Sequence, residues 1–447
     1  MPVLIADSLE ALAPKPGTRV LLGYSGGVDS EVLACLLGQY AAAHPEINCT
    51  LVHVHHGLSH NAESWVQHCE ARAAHYGLEF RLCRVTVDQG PRTSLEAEAR
   101  KARYQAISQL MKPDDILLTG HHQDDQLETL LLALKRGQGP RGLAAMGKCQ
   151  PFDKGWQVRP LLGCSRQQIE AFAAANQLTH IQDESNFDTR FDRNFLRQDI
   201  IPLLKSRWPQ IAHTAARSAS LCAEQQLALD EVVSDRLTGM VRDTPWGKTL
   251  VLDGLARQAP HWQKLLLRAF IEQSGLELPS QVQLEQALQQ LLEAREDAGV
   301  ELKFAGAVIR RYAGGIYVTS NQALMTPGQL TLEKGLKQVS YGAFLLTLNS
   351  ANEGPRVRCG KSEEEWQLAT MAGFGITGAT RCHPHFRDKG RELKKCWQEA
   401  GVPPWVRQHL PLLFIDGQLA AVPGIWVEKS FLAKAGEAGV SLALSVK

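Results

Sequence analysis

Residues 19–37 constrain this chain more than any other stretch. Arg19-Val20-Leu21-Leu22-Gly23-Tyr24 has the apolar run of a buried strand, and Ser30-Glu31-Val32-Leu33-Ala34-Cys35-Leu36-Leu37 reads as the helix that follows. Between them lies Ser25-Gly26-Gly27-Val28-Asp29-Ser30. Two adjacent glycines let backbone amides approach an anion closely. The hydroxyls of Ser25 and Ser30 add hydrogen bonds, and the helix N-terminus adds a positive dipole. The combination is a cradle for pyrophosphate. No lysine occupies the position from which a Walker loop reaches the β- and γ-phosphates, so the loop suits ATP cleaved between its α- and β-phosphates. Asp29 is compatible with phosphates beside it if a divalent cation bridges them.

The strand–helix alternation continues. Residues 50–55, 80–87 and 115–120 read as further strands, and helices are predicted over about 94–109 and 124–135. Such repetition implies an α/β fold, a parallel sheet covered on both faces, with ligands at the carboxyl ends of its strands. One of those ends carries His121-His122-Gln123-Asp124-Asp125-Gln126-Leu127-Glu128-Thr129. Asp125 and Glu128, at i and i+3, share a helix face. Two hard carboxylates there suit magnesium shared with the phosphates, and make Asp29, Asp125 and Glu128 the candidate metal-binding and catalytic group. A charged first turn favoured by the helix dipole is the competing reading. Adjacent histidines on a strand point to opposite faces, which argues against zinc.

Two look-alike motifs lack their context. Gly137-Gln138-Gly139-Pro140-Arg141-Gly142 matches the dinucleotide-binding pattern but follows a helix rather than a strand. Gly360-Lys361-Ser362 resembles the end of a Walker loop, but Gly354 stands one residue too far upstream.

From about residue 210 the chain turns Ala-, Leu- and Gln-rich with helical spacing, then shows a strand, Gly-Gly turn, strand signal at 309–318 and an Asp416-Gly417 hairpin signal near its end. The expected division is an α/β catalytic domain over 1–212, a mainly helical domain over 213–325, and a small α+β domain over 326–447. Lys and Arg number 48 against 47 Asp and Glu, so a uniformly basic coat is excluded and any nucleic-acid surface must be local. Local excess exists. The stretch from Arg381 to Lys395 holds six basic residues against two acidic, with Trp397 and Trp405 close by, and Arg100, Arg103, Arg193 and Arg197 fall in two further clusters. Any one could be a solvated face; together they fit an RNA backbone track. No apolar run approaches the roughly 18–20 residues of a membrane span. The ten cysteines form no Cys-x-x-Cys pair, as expected of reduced thiols in a cytoplasmic protein. Cys382, His383 and His385 lack a convincing fourth zinc ligand nearby.

The Ser-Gly-Gly-x-Asp-Ser loop is similar to that of the PP-loop ATP pyrophosphatases, a loop shared by GMP, NAD and asparagine synthetases and several tRNA thiolases. His53-Val54-His55-His56-Gly57-Leu58, the run from Glu96 to Tyr104, Gly120 through Thr129, Lys135 through Leu143, Arg159-Pro160-Leu161-Leu162 and Asp183-Glu184-Ser185-Asn186 resemble the tRNA(Ile)-lysidine synthetases. So do Leu393-Lys394-Lys395, Val402-Pro403-Pro404-Trp405-Val406-Arg407 and Leu410-Pro411-Leu412. One departure is His55, where Asn is more usual.

The resemblance implies a PP-loop (adenine nucleotide α-hydrolase-like) first domain. It implies ATP and Mg2+, free L-lysine and a CAU-anticodon tRNA(Ile) as partners, and cytoplasmic action without a membrane. ATP activates the 2-oxo group of the wobble cytidine, the ε-amine of lysine displaces AMP, and the tRNA switches from methionine to isoleucine decoding. Ser25, Gly26, Gly27, Val28, Asp29 and Ser30 would bind ATP. Arg100, Arg103, Arg193, Arg197, Lys394, Lys395 and Arg407 would contact tRNA or nucleotide, and the region after 210 would choose the tRNA. A tRNA thiolase on the same loop and a non-catalytic tRNA-binding protein are the alternatives; the missing Cys-x-x-Cys weighs against the first and the intact carboxylates against the second. A homodimer stays open.

Overall fold

The structure is a computed structural model that describes residues 1, 3–57, 59–87, 95–182, 184, 188–295, 298–304, 306–321, 328–333, 335–358 and 364–446. Leu58, Ser94, Asp183, Ser185, Asn186, Cys359 and the Gly360-Lys361-Ser362 motif lie outside the described residues, as does the side chain of Glu96. Contacts separate the chain into two units, Met1–Asp230 and Glu231–Lys447.

The first unit is built on a sheet of β1 (Arg19–Gly23), β2 (Asn48–His55), β3 (Glu79–Arg84), β4 (Ile116–Leu118), β5 (Cys149–Phe152) and β6 (Gly155–Val158). Their spatial order is β3-β2-β1-β4-β6-β5. All neighbours run parallel except the β5–β6 hairpin. Its helices are α1 (Leu4–Glu10), α2 (Val28–Ala43), α3 (Ala62–His75), α4 (Leu95–Leu110), α5 (Gln123–Lys135), α6 (Pro140–Leu143) and α7 (Arg166–Ala175), with a further run beyond residue 191.

The two-residue period of the strands decides which helix covers which face. Val20 and Leu22 of β1 join Ile116 and Leu118 of β4 in a core closed by Val32, Leu33 and Leu36 of α2, Ile5 and Leu9 of α1, and Ile169 of α7. Leu21, Leu117, Val52 and Val54 point the other way, onto Ala106, Ile107 and Met111 of α4. The chain leaves β1 for β2 on one side and returns to β4 on the other. The crevice at the carboxyl ends of β1 and β4 is therefore the sheet's topological switch point.

In the second unit β7 (Val241–Thr244), β8 (Gly247–Val251), β9 (Glu301–Lys303), β10 (Ala307–Tyr312) and β11 (Gly315–Ser320) form an antiparallel sheet in the order β7-β8-β11-β10-β9. The helices Pro260–Gln273 and Gln281–Glu293 accompany it, so the segment expected to be mainly helical also carries a five-stranded sheet. The turn between β10 and β11 is Ala313-Gly314, both at positive φ (47° and 73°), rather than Gly314-Gly315. Gly315 is the first strand residue, where a Cβ would fall 2.2 Å from Thr249 Oγ1. The hairpin Leu412–Ile415 with Gln418–Val422 turns on Asp416 and Gly417, at φ 48° and 74°. Both are two-residue turns of the primed kind that match strand twist.

The two segments expected as separate domains after 212 fall in one unit from residue 231 onward. Trp246 Nε1 donates to Gly401 O at 3.1 Å, Tyr312 OH to Val402 O at 3.3 Å, and Trp405 packs edge-on against Tyr312 and Tyr317. Trp397 is only 1% exposed and meets Trp426 in the core. The two tryptophans beside the basic stretch, Trp397 and Trp405, are thus engaged in packing within this unit.

Candidate active site at the switch point

The glycine loop after β1 is shaped by its own side chains. Gly26 sits at φ 82°, a conformation costly for any residue with a Cβ, and its carbonyl accepts from Ile181 N–H at 2.8 Å. A Cβ there would lie 2.4 Å from Ile181 Cδ1. Ser30 Oγ donates to Gly27 O at 2.9 Å and lies 3.1 Å from Ser25 Oγ, which holds the two hydroxyls together at the N-terminus of α2. The Val28 side chain is buried in the core, so of Val28 only the backbone can face a ligand. One turn on, the fully buried Glu31 accepts from Tyr76 OH at 2.6 Å, from Arg72 Nε at 2.7 Å, and from Tyr24 OH. This cluster ties the first turn of α2 to β1 and α3 directly behind the loop. Nothing in the sequence singled it out.

The second half of the site follows β4. Gly120 passes so close to the first turn of α2 that a Cβ would lie 3.3 Å from the backbone of Asp29 and Ser30. Two residues later His122 caps α5: its Nδ1 accepts from Asp124 N–H at 3.2 Å, and its own N–H donates to Asp125 Oδ2 at 2.9 Å. Accepting at Nδ1 places the ring proton of neutral His122 on Nε2. That atom lies 3.8 Å from Asp29 Oδ1 and 3.5 Å from Asp125 Oδ2, so His122 stands between carboxylates supplied by two different strand ends.

Arginines complete the cluster. Arg166, first residue of α7, donates through Nη1 to both oxygens of Asp29 at 3.1 and 3.0 Å. Arg197 donates to Glu128 Oε1 and Oε2 at 2.8 and 3.0 Å and to Asp125 Oδ1 at 3.1 Å. It sits in a π-helical turn, Leu196–Ile200, an irregularity that often marks functional sites. Burial raises the Asp29 carboxyl above its ordinary range even against the pull of His122 and Arg166. Burial likewise raises Glu128 despite Arg197. At Asp125 burial pushes upward too, but His122, His121 and Arg197 outweigh it, and the carboxyl lies below its ordinary value.

The three predicted carboxylates thus enter one network: His122 stands between Asp29 and Asp125, and Arg197 joins Asp125 to Glu128. Among the described residues no group of three His, Cys, Asp or Glu side chains is arranged to hold a metal ion. Asp29 and Asp125 fit a cation whose remaining ligands come from phosphate oxygens. Glu128 fits less well, because its side chain is fully buried whereas those of Asp29 and Asp125 are 25% and 10% exposed.

The other predicted residues divide. Arg100 lies over the Tyr104 ring, 5.0 Å to the centroid, and Arg103 approaches His56 Nε2 at 3.4 Å. Arg193 acts electrostatically on both His121 and Glu128. In the second unit Lys394 and Lys395 are exposed on the helix Leu393–Glu399, Lys395 3.7 Å from Glu392. Arg407 bonds the Val402 carbonyl through Nε and Nη2 at 2.9 and 2.8 Å, so its guanidinium serves the fold. Arg387 and Arg391 both pair with Glu399, which neutralises part of the basic excess. Cys382 is buried, His383 bonds Asp388 O, and His385 accepts from Val427 N–H. Sequence reasoning missed Arg166 and gave no role to Arg159, His121 or His122, because their positions depend on the fold.

A phosphate-binding loop and an acidic helix start facing each other across the switch point of a parallel sheet define a PP-loop nucleotide-binding protein, and residues 3–204 match the PP-loop domain family. Residues 250–317 match the TilS substrate binding domain and 373–444 the TilS substrate C-terminal domain. The tRNA(Ile)-lysidine synthase of Shewanella oneidensis is 52% identical over 98% of this chain and 97% of its own length. That of Shewanella woodyi is 50% identical over 99% and 96%, and that of Vibrio parahaemolyticus 39% identical over 93% of each. The chain belongs to the tRNA(Ile)-lysidine synthase family.

Proposed function

We propose that this chain is an ATP-dependent ligase that joins free L-lysine to the wobble cytidine of the CAU-anticodon tRNA(Ile). The cytidine 2-oxo group attacks the α-phosphorus of ATP and releases pyrophosphate. The ε-amine of lysine then attacks C2, and AMP leaves with the oxygen. The observation that carries this reading is near-full-length identity of 52% to a tRNA(Ile)-lysidine synthase, in a chain that keeps both halves of the switch-point site.

The geometry supports the following roles. Ser25, Ser30 and the amides of residues 26–30 receive the phosphates at the N-terminus of α2. Asp29 and Asp125 are the ligands offered to Mg2+, which neutralises phosphate charge when bound. Glu128 acts by fixing Arg197 beside Asp125. Lysine must attack as a neutral amine against a reference pKa of roughly 10.4, which a site rich in buried carboxylates and arginines can favour only by orienting and desolvating it. Residues 213–325 and 326–447 act as tRNA-selecting segments, since an anticodon shared with methionine tRNAs must be discriminated by features remote from it. The reaction takes place in the cytoplasm.

Transfer of radiolabelled lysine to total tRNA tests the reading. Label should appear only with ATP and only in isoleucine tRNA. Absence of transfer, or incorporation of sulfur instead, would overturn it.

A further inference from the structure

Glu31 is the anomaly of α2. Residues 28 and 30–38 of this helix are all buried, and Glu31, with no exposure at all, is the one charged side chain among them. A buried carboxylate must be paired and hydrogen-bonded, and even then it adds little stability that a well-packed apolar side chain would not. Its partners therefore carry the explanation. Glu31 Oε1 accepts from Arg72 Nε at 2.7 Å and from Tyr76 OH at 2.6 Å, and Oε2 accepts from Tyr24 OH. Burial works against the charge of Arg72, but Glu31 outweighs it and the guanidinium lies above its ordinary range. Burial, and Glu31 after it, raises the Tyr24 hydroxyl, which stays a donor.

Tyr24 is the last residue before the phosphate loop and Glu31 is the first after it, so the bond between them closes the loop, residues 25–30, at its base. Both ends are themselves fixed. Tyr24 is 2% exposed; its N–H donates to Val52 O and its carbonyl accepts from His53 Nδ1, both at 2.9 Å. Glu31 N–H donates to Gly27 O at 2.9 Å. Cys69, fully buried on α3, backs the middle of the loop, where a Cβ on Gly26 would come within 3.2 Å of its Sγ. The loop contains no lysine, so its hold on phosphate rests on the direction of its amides and hydroxyls. Such donors weaken steeply as their angles depart from linear.

We propose that Glu31, acting through Tyr24, is a positioning residue that holds the two ends of the phosphate loop where its amides converge on the β- and γ-phosphates of ATP. This rests on the reading of the loop as a pyrophosphate cradle. Both side chains are buried behind the loop and neither touches the nucleotide. Their contribution is preorganisation: the loop is ordered before ATP arrives, so binding does not bear that cost.

The test titrates the full-length protein with ATP and with AMP, each with Mg2+, because AMP lacks the two phosphates in question. The wild type should prefer ATP. In Tyr24→Phe and Glu31→Gln, ATP affinity should fall by about tenfold, the low end of the scale of a hydrogen bond to a charged group, with AMP affinity within about twofold of wild type. The ATP-to-AMP ratio should therefore fall with the ATP affinity. A cluster that only stabilises the fold would lower Tm and leave the ratio unchanged, which would overturn the proposal. If Glu31→Gln does not fold, Tyr24→Phe decides, since it keeps the ring in the core and leaves Glu31 its bonds to Arg72 and Tyr76. A wild type that bound AMP as tightly as ATP would overturn the cradle itself. Preference for ATP in the wild type with an unchanged ratio in Tyr24→Phe would overturn the positioning role alone.

Discussion

Arg197 closes both oxygens of Glu128, at 2.8 and 3.0 Å, from a position 69 residues further along the chain. Glu128 is fully buried and Arg197 is 43% exposed at its side chain, so the arginine is the route by which a buried carboxylate communicates with the open site. Removing it leaves a buried charge uncompensated. Breaking a buried pair typically costs about 3–5 kcal/mol, and the exposure of Arg197 reduces that. Arg197→Ala should therefore lower Tm, and Arg197→Ala combined with Glu128→Gln should be more stable than Arg197→Ala alone. Thermal unfolding of the three variants checks this. An additive loss in the double variant would show that the two residues act independently.

Asp125 makes a sharper prediction about chemistry. Asp125→Ala should abolish tRNA adenylation, measured as pyrophosphate release, while filter binding shows tRNA affinity close to wild type. The carboxylate faces His122 and Arg197 rather than an RNA surface. Normal pyrophosphate release in this variant would remove Asp125 from the site.

Gly26→Ala should weaken ATP binding by at least about tenfold, because positive φ and the contact with Ile181 both oppose a Cβ. Adding Ile181→Ala relieves the contact but not the backbone strain, so rescue should be partial. Full rescue, read by ATP titration, would mean that the contact alone matters.

Acid stability should follow the neutral histidines. Burial holds His56 down to about 4 and His121 to about 3, against an ordinary 6.5. Between those values the unfolded chain binds protons that the folded chain refuses, so stability rises with pH through this window and falls on acidification from about 6.5 toward 4 and below. His121→Gln should flatten the fall in Tm between pH 6.5 and 4. An equally steep fall in the variant would place the acid sensitivity elsewhere.

Charge reversal at Lys394 and Lys395 should raise the KM for tRNA far more than that for ATP or lysine and reduce the salt dependence of tRNA binding. Arg407→Ala should act differently, loosening the Val402 turn and lowering Tm, since its guanidinium serves the backbone. Steady-state kinetics at two salt concentrations separate these outcomes.

The sequence by itself determined the parallel sheet, the phosphate loop, the acidic helix start and the existence of the hairpins at 309–318 and at Asp416-Gly417. Each is written in local chemistry: apolar runs with a two-residue period, glycines where φ must be positive, carboxylates three apart on one helix face. Even there the Gly314-Gly315 turn was off by one residue, because the steric demand of Thr249 on Gly315 comes from another strand. Only the tertiary structure decided which charges meet. Arg166 lies 137 residues from Asp29 in sequence and Arg197 lies 72 from Asp125, and no spacing rule links them. It also turned Arg407 and Trp397 inward, occupied Glu128 with an arginine, and buried Arg159 against the Gly147 carbonyl and Gln157. The physical reason is that local backbone preferences act over a few residues, whereas burial and electrostatics depend on whatever the folded chain brings within a few ångströms.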